Sequence, residues 1–479
     1  MRQGAIGLRE VTFQSITHMA PAAAVAFSIV GGIAFGGGAT PLAVVVAILA
    51  CLLVAVSIGQ LAKHLPSAGA FYTYASQGLH PSIGFLIAWA YAFIEPLVAP
   101  LLYLNLGFAA ADFFSREPPH LSADLWWPWV VIGALLVFFL GYRGIQVSAR
   151  TGTVLGIFEI GVFAILAIVL IAQADHNTLA VFTTKYANNP DFKGFSGVFA
   201  ASVFTILAFI GFEAAAPLAE EARDPRKTIG RAVIYSCLFI GLYYVLTTYA
   251  ATVYRGPTNM LDFPAGTGWE NLARAVWGSW WVLIFLAIVN STIANANAGS
   301  NAATRTWFAM GRVRILPGLL GTVHPRFRSP HIAVWAQLVV GLVVALWLGN
   351  QYDPITAFFL VATIITVLFV PIYIVINLSS LCYYWRKQRA EFNWFLHGVI
   401  PIVGIVVFVP AFLAGAGLKV PGLSFIAPLT RPLSYAGPVA GAWMLIGIVY
   451  LIVLYRKHPQ RVADTGKVFV EEDVHTTAA

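Results

Sequence analysis

The stretch that decides the fold is FTILAFIGFEAAAPLAEEARDP, residues 204–225. It begins as an apolar run, is interrupted by Gly211 and Pro217, and carries Glu213 at a depth where a bilayer has its hydrocarbon core. An intramembrane carboxylate is costly unless it faces protein or water. Glycine and proline both weaken a helix, and broken helix at membrane depth is tolerated only where it lines a cavity. The stretch therefore predicts a binding site of the kind that transporters build.

Such transporters consist of inverted repeats, so a second interrupted helix is expected at the matching place in the other half. The first apolar segment, residues 11–42, supplies it: Pro21 is followed by three alanines and then by glycines at 31, 32, 36, 37 and 38. Counted along the chain, this segment is the first core helix and the Gly211 segment is the sixth. That spacing is typical of a five-plus-five inverted repeat.

Composition places the whole chain in a membrane. Of its 479 residues 59% are hydrophobic and 10% are charged, and the mean hydropathy is +0.80, whereas soluble domains are about 25% charged. We predict an all-α polytopic membrane protein with about twelve spans. They lie near 11–37, 41–63, 83–114, 125–142, 148–173, 195–220, 230–254, 277–311, 331–349, 354–380, 396–417 and 436–456.

The spans divide the chain into a transmembrane domain, 1–457, and a polar tail, 458–479, that we expect to be disordered and cytoplasmic. Within the domain, repeat one covers about 11–173 and repeat two about 195–380. Two accessory helices, about 396–456, lie outside the repeats and are expected to pack or to form a homo-oligomer. Cysteine adds nothing to this scheme, because the three cysteines fall in apolar spans without paired spacing, so no metal site or disulfide is predicted.

Lys and Arg are distributed unevenly between the two sides of the membrane. On these spans 21 fall on the side of the termini and 7 on the opposite side, which together make the 28 in the chain. By the positive-inside rule both termini are cytoplasmic in a multi-pass protein of the cell membrane. The net charge of +8 therefore reflects orientation, and it indicates no nucleic-acid partner.

Only three carboxylates lie well inside spans: Glu95, Glu159 and Glu213. His18 is the only comparably placed base. A core of this sign favours cations, either protons, metal ions or an ammonium group. For each of the four residues the alternative is a hydrogen bond that only fastens helices together.

The eighth span is polar for a membrane helix. Asn290, Asn297 and Asn301 share one stripe, and Ser291 and Asn295 form a neighbouring one. These side chains could line the cavity. They could equally make hydrogen bonds between closely packed helices.

Several strings resemble signatures of the amino acid-polyamine-organocation transporters. They are AFIGFEAAAPLAEEARDPRKTIGRA (208–232), NAATRTWFAMGRVRILPGLLGTVHPRFRSPH (301–331), LPSAGAFYTY (65–74), WAYAFIEP (89–96) and GYRGIQVSAR (141–150). The resemblance covers roughly residues 10–390. It implies the LeuT-like inverted-repeat fold and secondary transport of amino acids or related amines.

The resemblance also implies roles for particular residues. The unwound part of the sixth helix falls on Phe209, Ile210, Gly211, Phe212 and Glu213, and its first-helix counterpart on about Pro21 to Phe27. The substrate-binding residues expected from this are Pro21, Ala22, Ala23, Ala24, Val25, Phe209, Ile210, Gly211 and Phe212.

Three departures from the family pattern accompany these roles. Where the family has glycine-serine-glycine, this chain has alanine and valine from Ala22 to Ala26, which reduces the close approach that glycine allows. Val313 and Arg314 replace the usual acidic residue and glycine after the eighth helix. Glu159 falls where proton-coupled relatives carry a lysine in place of a sodium ion, eleven residues after Ser148.

We therefore predict a proton-coupled importer of an amino acid or small amine, with no cofactor besides the proton gradient. Glu159, Glu213 and His18 are the proton-coupling candidates, and Glu95, Ser291, Asn295 and Asn297 are further polar candidates for the cavity. A polyamine importer and an amino acid exchanger are the alternatives, and a nutrient receptor is a weaker one. The spans show no enzyme motif such as HExxH. Because no Lys or Arg lies near the breaks, we expect neutral and cationic substrates to bind better than glutamate or aspartate.

Overall fold

The computed structural model describes residues 6–67, 69–144, 149–175, 177–312, 314–327 and 329–457. This part of the chain is helical and contains no strand beyond isolated bridges. The main helices are α1 (Leu8–His18), α2 (21–36), α3 (Thr40–His64), α4 (Ala70–Gly78), α5 (Pro81–Arg116), α6 (Trp127–Arg143), α7 (Ala149–Ala172), α8 (Phe195–Phe209), α9 (Pro225–Arg255), α10 (Gly268–Trp277), α11 (Val282–Arg312), α12 (His331–Tyr352), α13 (Pro354–Arg386), α14 (Ile400–Gly415) and α15 (Ala436–Lys457). The predicted tail 458–479, Ser148 and Val313 lie outside the described residues.

Ten helical segments of the described chain are long and apolar enough to cross a membrane. The first, Leu8–His64, contains both of the spans predicted at 11–37 and 41–63, which meet at a short turn, Gly37–Ala39. Helix α6, with 17 residues, is shorter than these segments. The prediction of an all-α multi-pass membrane protein is confirmed. The count of twelve crossings stays a prediction.

Close packing of small residues holds the helices around the two interrupted ones. Helix α3 lies against α9, where Gly59 and Gly230 face each other so closely that a Cβ built on Gly59 would be 3.2 Å from the Gly230 Cα atom. Helix α5 lies in the same way against α11. Without a hydrophobic driving force in lipid, such backbone approach is a main source of helix association. This close packing brings α5, α11 and the two interrupted helices into one bundle.

Candidate functional site

The sixth helix breaks where the sequence predicts it. Helix α8 ends at Phe209, Ile210 has an extended ψ of 124°, and Gly211 has a φ of +118°. The chain then continues as a 3₁₀-helix, Phe212–Glu220, which contains Pro217. A φ this positive is strained for any residue with a side chain. The predicted interruption at Gly211 is confirmed.

The first helix breaks two residues earlier than predicted. Helix α1 ends at His18, and Ala20 takes a left-handed φ of +46°. Pro21–Ala23 is already helical and runs into a π-helical turn, Ala24–Ser28. The prediction that the unwound segment covers Pro21 to Phe27 is therefore wrong. Proline lacks an N–H and has a fixed φ, so it begins the second half of the helix instead of interrupting it.

The two breaks touch each other. A Cβ built on Gly211 would lie 2.8 Å from both the carbonyl carbon and the oxygen of His18. The buried hydroxyl of Tyr244, on α9, is 3.1 Å from the Met19 carbonyl oxygen and 2.9 Å from that of Ala208. Tyr244 thus shares its one hydroxyl proton between carbonyl groups of both interruptions, each of which lacks a helical partner.

Hydrogen bonds also join α1 and the residues just before it to the 3₁₀-helix and the residues just after it. The Ala215 amide, on the 3₁₀-helix, donates a 2.9 Å hydrogen bond to Ser15 Oγ on α1. Ile6 pairs with the segment beyond that helix, donating to the Glu221 carbonyl at 3.2 Å and accepting from the Arg223 amide at 2.8 Å. Hydrogen bonds therefore hold the first half of the first helix against the second half of the sixth at more than one point.

A cavity of about 60 Å³ lies at the junction of the breaks. Its walls come from α1, α2, α5, α8, α11, α13 and the sixth-helix break. The lining residues are His18, Met19, Ala20, Ala23, Ala24, Ser28, Glu95, Val98, Leu101, Leu102, Asn105, Leu207, Ala208, Ile210, Glu213, Asn295, Phe358, Ile365 and Phe369. The volume has room for a few water molecules.

Glu213 stands at the sixth-helix break with one oxygen fully engaged. Its Oε2 atom accepts 3.1 Å hydrogen bonds from the Gly211 amide and from the Tyr373 hydroxyl on α13. The amide donor exists because the helix is broken, since a continuous helix would use it internally. The break thus positions the carboxylate against the cavity, where it is 7% exposed.

Other polar atoms of the cavity have no protein partner. They are Glu95 Oε2, both side-chain amide atoms of Asn105, and Asn295 Oδ1. All three residues line the cavity. Buried polar groups are nearly always hydrogen-bonded, so these atoms indicate room for a polar ligand or water. None of the lining residues is Lys or Arg.

Glu159 does not line this cavity. It is buried on α7, where its Oε2 atom accepts a 3.3 Å hydrogen bond from Asn290 Nδ2 on α11. Pro21–Ala23, directly after the first break, packs against both of these helices. Glu159 therefore lies on a helix that packs against the residues after the first-helix break, whereas Glu213 lines the cavity itself.

The remaining predicted residues lie outside the cavity lining. Phe209 packs edge-on against Tyr244 at 5.3 Å between ring centroids, and Phe212 packs on Tyr373 at 5.6 Å. The Val25 carbonyl accepts a 3.2 Å hydrogen bond from the Trp269 indole on α10. The others outside the lining are Pro21, Ala22, Gly211, Ser291 and Asn297.

Sequence reasoning missed several residues of the site. Asn105 had a usable signal, because it is a polar residue in the same apolar span as Glu95. Phe358, Phe369 and Tyr373 had none, since an aromatic residue in a membrane span usually packs against lipid or neighbouring helices.

Comparison with known proteins agrees with this architecture. The sequence model of the amino acid permease family matches residues 10–458. The low-affinity putrescine importer PlaP of Escherichia coli (strain K12) is 25% identical over 371 residues, which cover 76% of this chain and 77% of PlaP. The branched-chain amino acid permease BcaP of Bacillus subtilis (strain 168) is 29% identical over 64% of this chain and 66% of BcaP. The methylthioribose transporter of the same strain is 26% identical over 67% of this chain and 70% of its own length.

The chain belongs to the amino acid permease family. It is a multi-pass membrane protein and a secondary transporter of a small molecule, not an enzyme.

Proposed function

We propose that the protein is a proton-coupled importer of neutral or cationic amino acids or small amines. The observation that carries this proposal is the acidic character of the residues that line the cavity. Glu95 and Glu213 line it, Glu95 keeps one oxygen without a protein partner, and no Lys or Arg is among the lining residues. An ammonium group would supply the positive partner that these carboxylates do not find among the lining residues.

The backbone at the breaks offers both halves of an amino acid a partner. The ammonium group would lie near Glu213 and the carbonyl groups at the ends of α1 and α8, where partial negative charge collects. A carboxylate would lie at the amides of Ala22 and Ala23, which begin α2, where partial positive charge collects. The Ala24 amide already donates to the Ala20 carbonyl. An alkyl amine needs only the first of these contacts, and the alanines here keep amines without a carboxylate as a second candidate.

The relatives support both substrate classes. One is named a putrescine importer and another a branched-chain amino acid permease. Their substrates share an ammonium group and an aliphatic body. The cavity combines carboxylates with an apolar wall that includes Leu101, Leu102 and Phe358.

Coupling to protons is proposed from Glu159. This carboxylate is buried behind the first break, can gain or lose a proton, and has an amide from α11 as its hydrogen-bond partner. In liposomes with an inward-directed pH gradient and no sodium, we expect concentrative uptake. Uptake that requires a sodium gradient would reject this mechanism.

We further propose that the chain works in the cell membrane by alternating access, with both termini cytoplasmic and with repeats one and two, about 11–173 and 195–380, moving against each other. Cysteine-accessibility labelling of Lys419→Cys and Arg386→Cys in intact cells would test the orientation. We expect an impermeant reagent to label the first position only.

The substrate class is tested by thermal shift of the purified protein followed by competition for uptake in proteoliposomes. Neutral and cationic amino acids and amines should compete, and glutamate should compete weakly. Glu213→Gln should weaken binding of the best ligand at least tenfold, because it removes the charge but keeps an oxygen for the Gly211 and Tyr373 donors. Glu391→Gln, an exposed carboxylate outside the cavity, is the matched control. If glutamate competes best, the proposed electrostatics of the cavity are wrong.

A further inference from the structure

A second cavity lies on the surface of the helical bundle, away from the breaks. It is an open groove of about 520 Å³ between α5, the segment that follows α11, and α15. Its lining is apolar apart from one indole and one phenol ring. The lining residues are Trp89, Ile315, Leu316, Leu445, Ile446, Val449, Tyr450 and Val453.

The walls of the groove are held in place by specific contacts. Trp89 and Trp443 stack at 4.7 Å, and each indole N–H donates to the other residue's carbonyl, at 3.0 and 2.9 Å. The Tyr450 hydroxyl donates a 2.8 Å hydrogen bond to the Ile315 carbonyl, which fixes the segment after α11 against α15. The groove is thus a built feature of the fold.

The outer wall of the groove faces away from the protein. Leu445 is 62% exposed and Val449 is 55% exposed, although both line the groove. An apolar groove that opens sideways in a membrane protein is accessible to acyl chains.

Both segments that border the groove carry basic residues at one end. On α15, Arg456 and Lys457 follow Val453 by three and four residues and therefore lie one turn further on the same face. On the other border, Arg312 is the last residue of α11 and lies three residues before Ile315. These three residues are exposed.

The stretches of sequence that border the groove contain basic residues but no acidic ones. Residues 81–94, 305–327 and 436–457 contain no Asp or Glu. Basic residues next to apolar grooves between membrane helices bind anionic lipid headgroups.

We propose that this groove is a binding site for an anionic phospholipid. Its acyl chain lies along Val449 and Leu445, and its phosphate is held by the basic residues at the ends of α11 and α15. The charge selects an anionic headgroup over a zwitterionic one, and the groove supplies affinity by burying the chain. The site is independent of the transported substrate.

Native mass spectrometry of the purified full-length protein tests this site. The protein in detergent micelles is titrated with phosphatidylglycerol or with phosphatidylethanolamine that carries the same acyl chains. It is then released from the micelles for the mass measurement. We expect the wild type to bind phosphatidylglycerol at least about tenfold more tightly. Arg456→Gln combined with Lys457→Gln should abolish most of this preference. Arg386→Gln combined with Lys387→Gln, a basic pair at the end of α13, is the matched control and should retain it.

A second variant tests the groove without touching the charge. Val449→Trp fills the groove from an exposed position and should weaken binding of both lipids by a similar factor; it also carries the test if the charge variant does not fold. Equal binding of the two lipids by the wild type would overturn the proposal. So would tight binding that survives in Val449→Trp, or cross-linking of Leu445→Cys into a dimer that excludes lipid, since a second copy would then occupy the groove.

Discussion

The two helix breaks meet at one cavity but are made differently. The sixth helix breaks at Gly211, whose φ of +118° and whose contact with the His18 backbone leave no space for a side chain. The first breaks at Ala20, which takes a φ of +46° with an ordinary side chain. A left-handed alanine costs about 1–2 kcal/mol. Interruption of a membrane helix therefore does not require glycine, whereas close approach of two interrupted backbones does.

The breaks also differ in where their carboxylates lie. Glu213 is part of the sixth-helix break and lines the cavity. Glu159 lies behind the first break, on a helix against which Pro21–Ala23 packs, and is hydrogen-bonded to Asn290. In the proposed mechanism, the sixth-helix break binds the substrate and the surroundings of the first break couple transport to protons.

The largest effect is expected from Gly211→Ala. The new Cβ would press on the His18 carbonyl at 2.8 Å, and the backbone strain adds about 1–3 kcal/mol. We expect uptake to be lost and the thermal midpoint of the purified protein to fall. Gly161→Ala, at a helical glycine with nothing within 4 Å of the added Cβ, is the control. Normal uptake by Gly211→Ala would show that the breaks need not touch.

Glu159→Gln should separate coupling from binding. The glutamine oxygen can still accept from Asn290, so the helices stay joined, but the residue can no longer exchange a proton. We expect substrate binding within about threefold of the wild type, measured by thermal shift, and no accumulation against a gradient in proteoliposomes. If the variant still concentrates substrate, Glu159 only fastens α7 to α11.

Tyr244→Phe should cost more than Tyr373→Phe. The Tyr244 hydroxyl joins the two breaks, because its one proton lies between a carbonyl oxygen of each, whereas the Tyr373 hydroxyl contacts only Glu213 at the sixth. Leaving a buried acceptor without its donor costs about 1–3 kcal/mol. Chemical or thermal unfolding of the two variants measures the difference. Equal losses of stability in the two variants would mean that the Tyr244 contact with both breaks contributes no more than the single hydrogen bond from Tyr373 to Glu213.

The smallest effect is expected from Ala20→Gly. Glycine removes the left-handed strain, but it also gives the unfolded chain more freedom. We expect the free energy of unfolding to change by less than about 1 kcal/mol, with uptake retained. A loss comparable to that of Gly211→Ala would show that the Ala20 side chain, which is buried, is needed for packing.

Some features could be predicted from the sequence because each depends on a local property. Composition and span length determine a helical membrane protein. Gly211 and Pro217 determine a break, because glycine permits the positive φ and proline removes a donor. An intramembrane carboxylate at a break must face protein or water, which places Glu213 at the site.

Other features depend on how the helices pack, and local sequence carries little information about them. In a soluble helix the apolar face identifies the core, but lipid and protein interior are both apolar, so a membrane helix shows no such contrast. For this reason the sequence did not show that Phe209 and Phe212 lie outside the cavity lining, while Asn105 and Phe358 belong to it. The first break falls at Ala20 because tertiary contacts hold an ordinary residue in a left-handed conformation, with Pro21 free to begin the next helix.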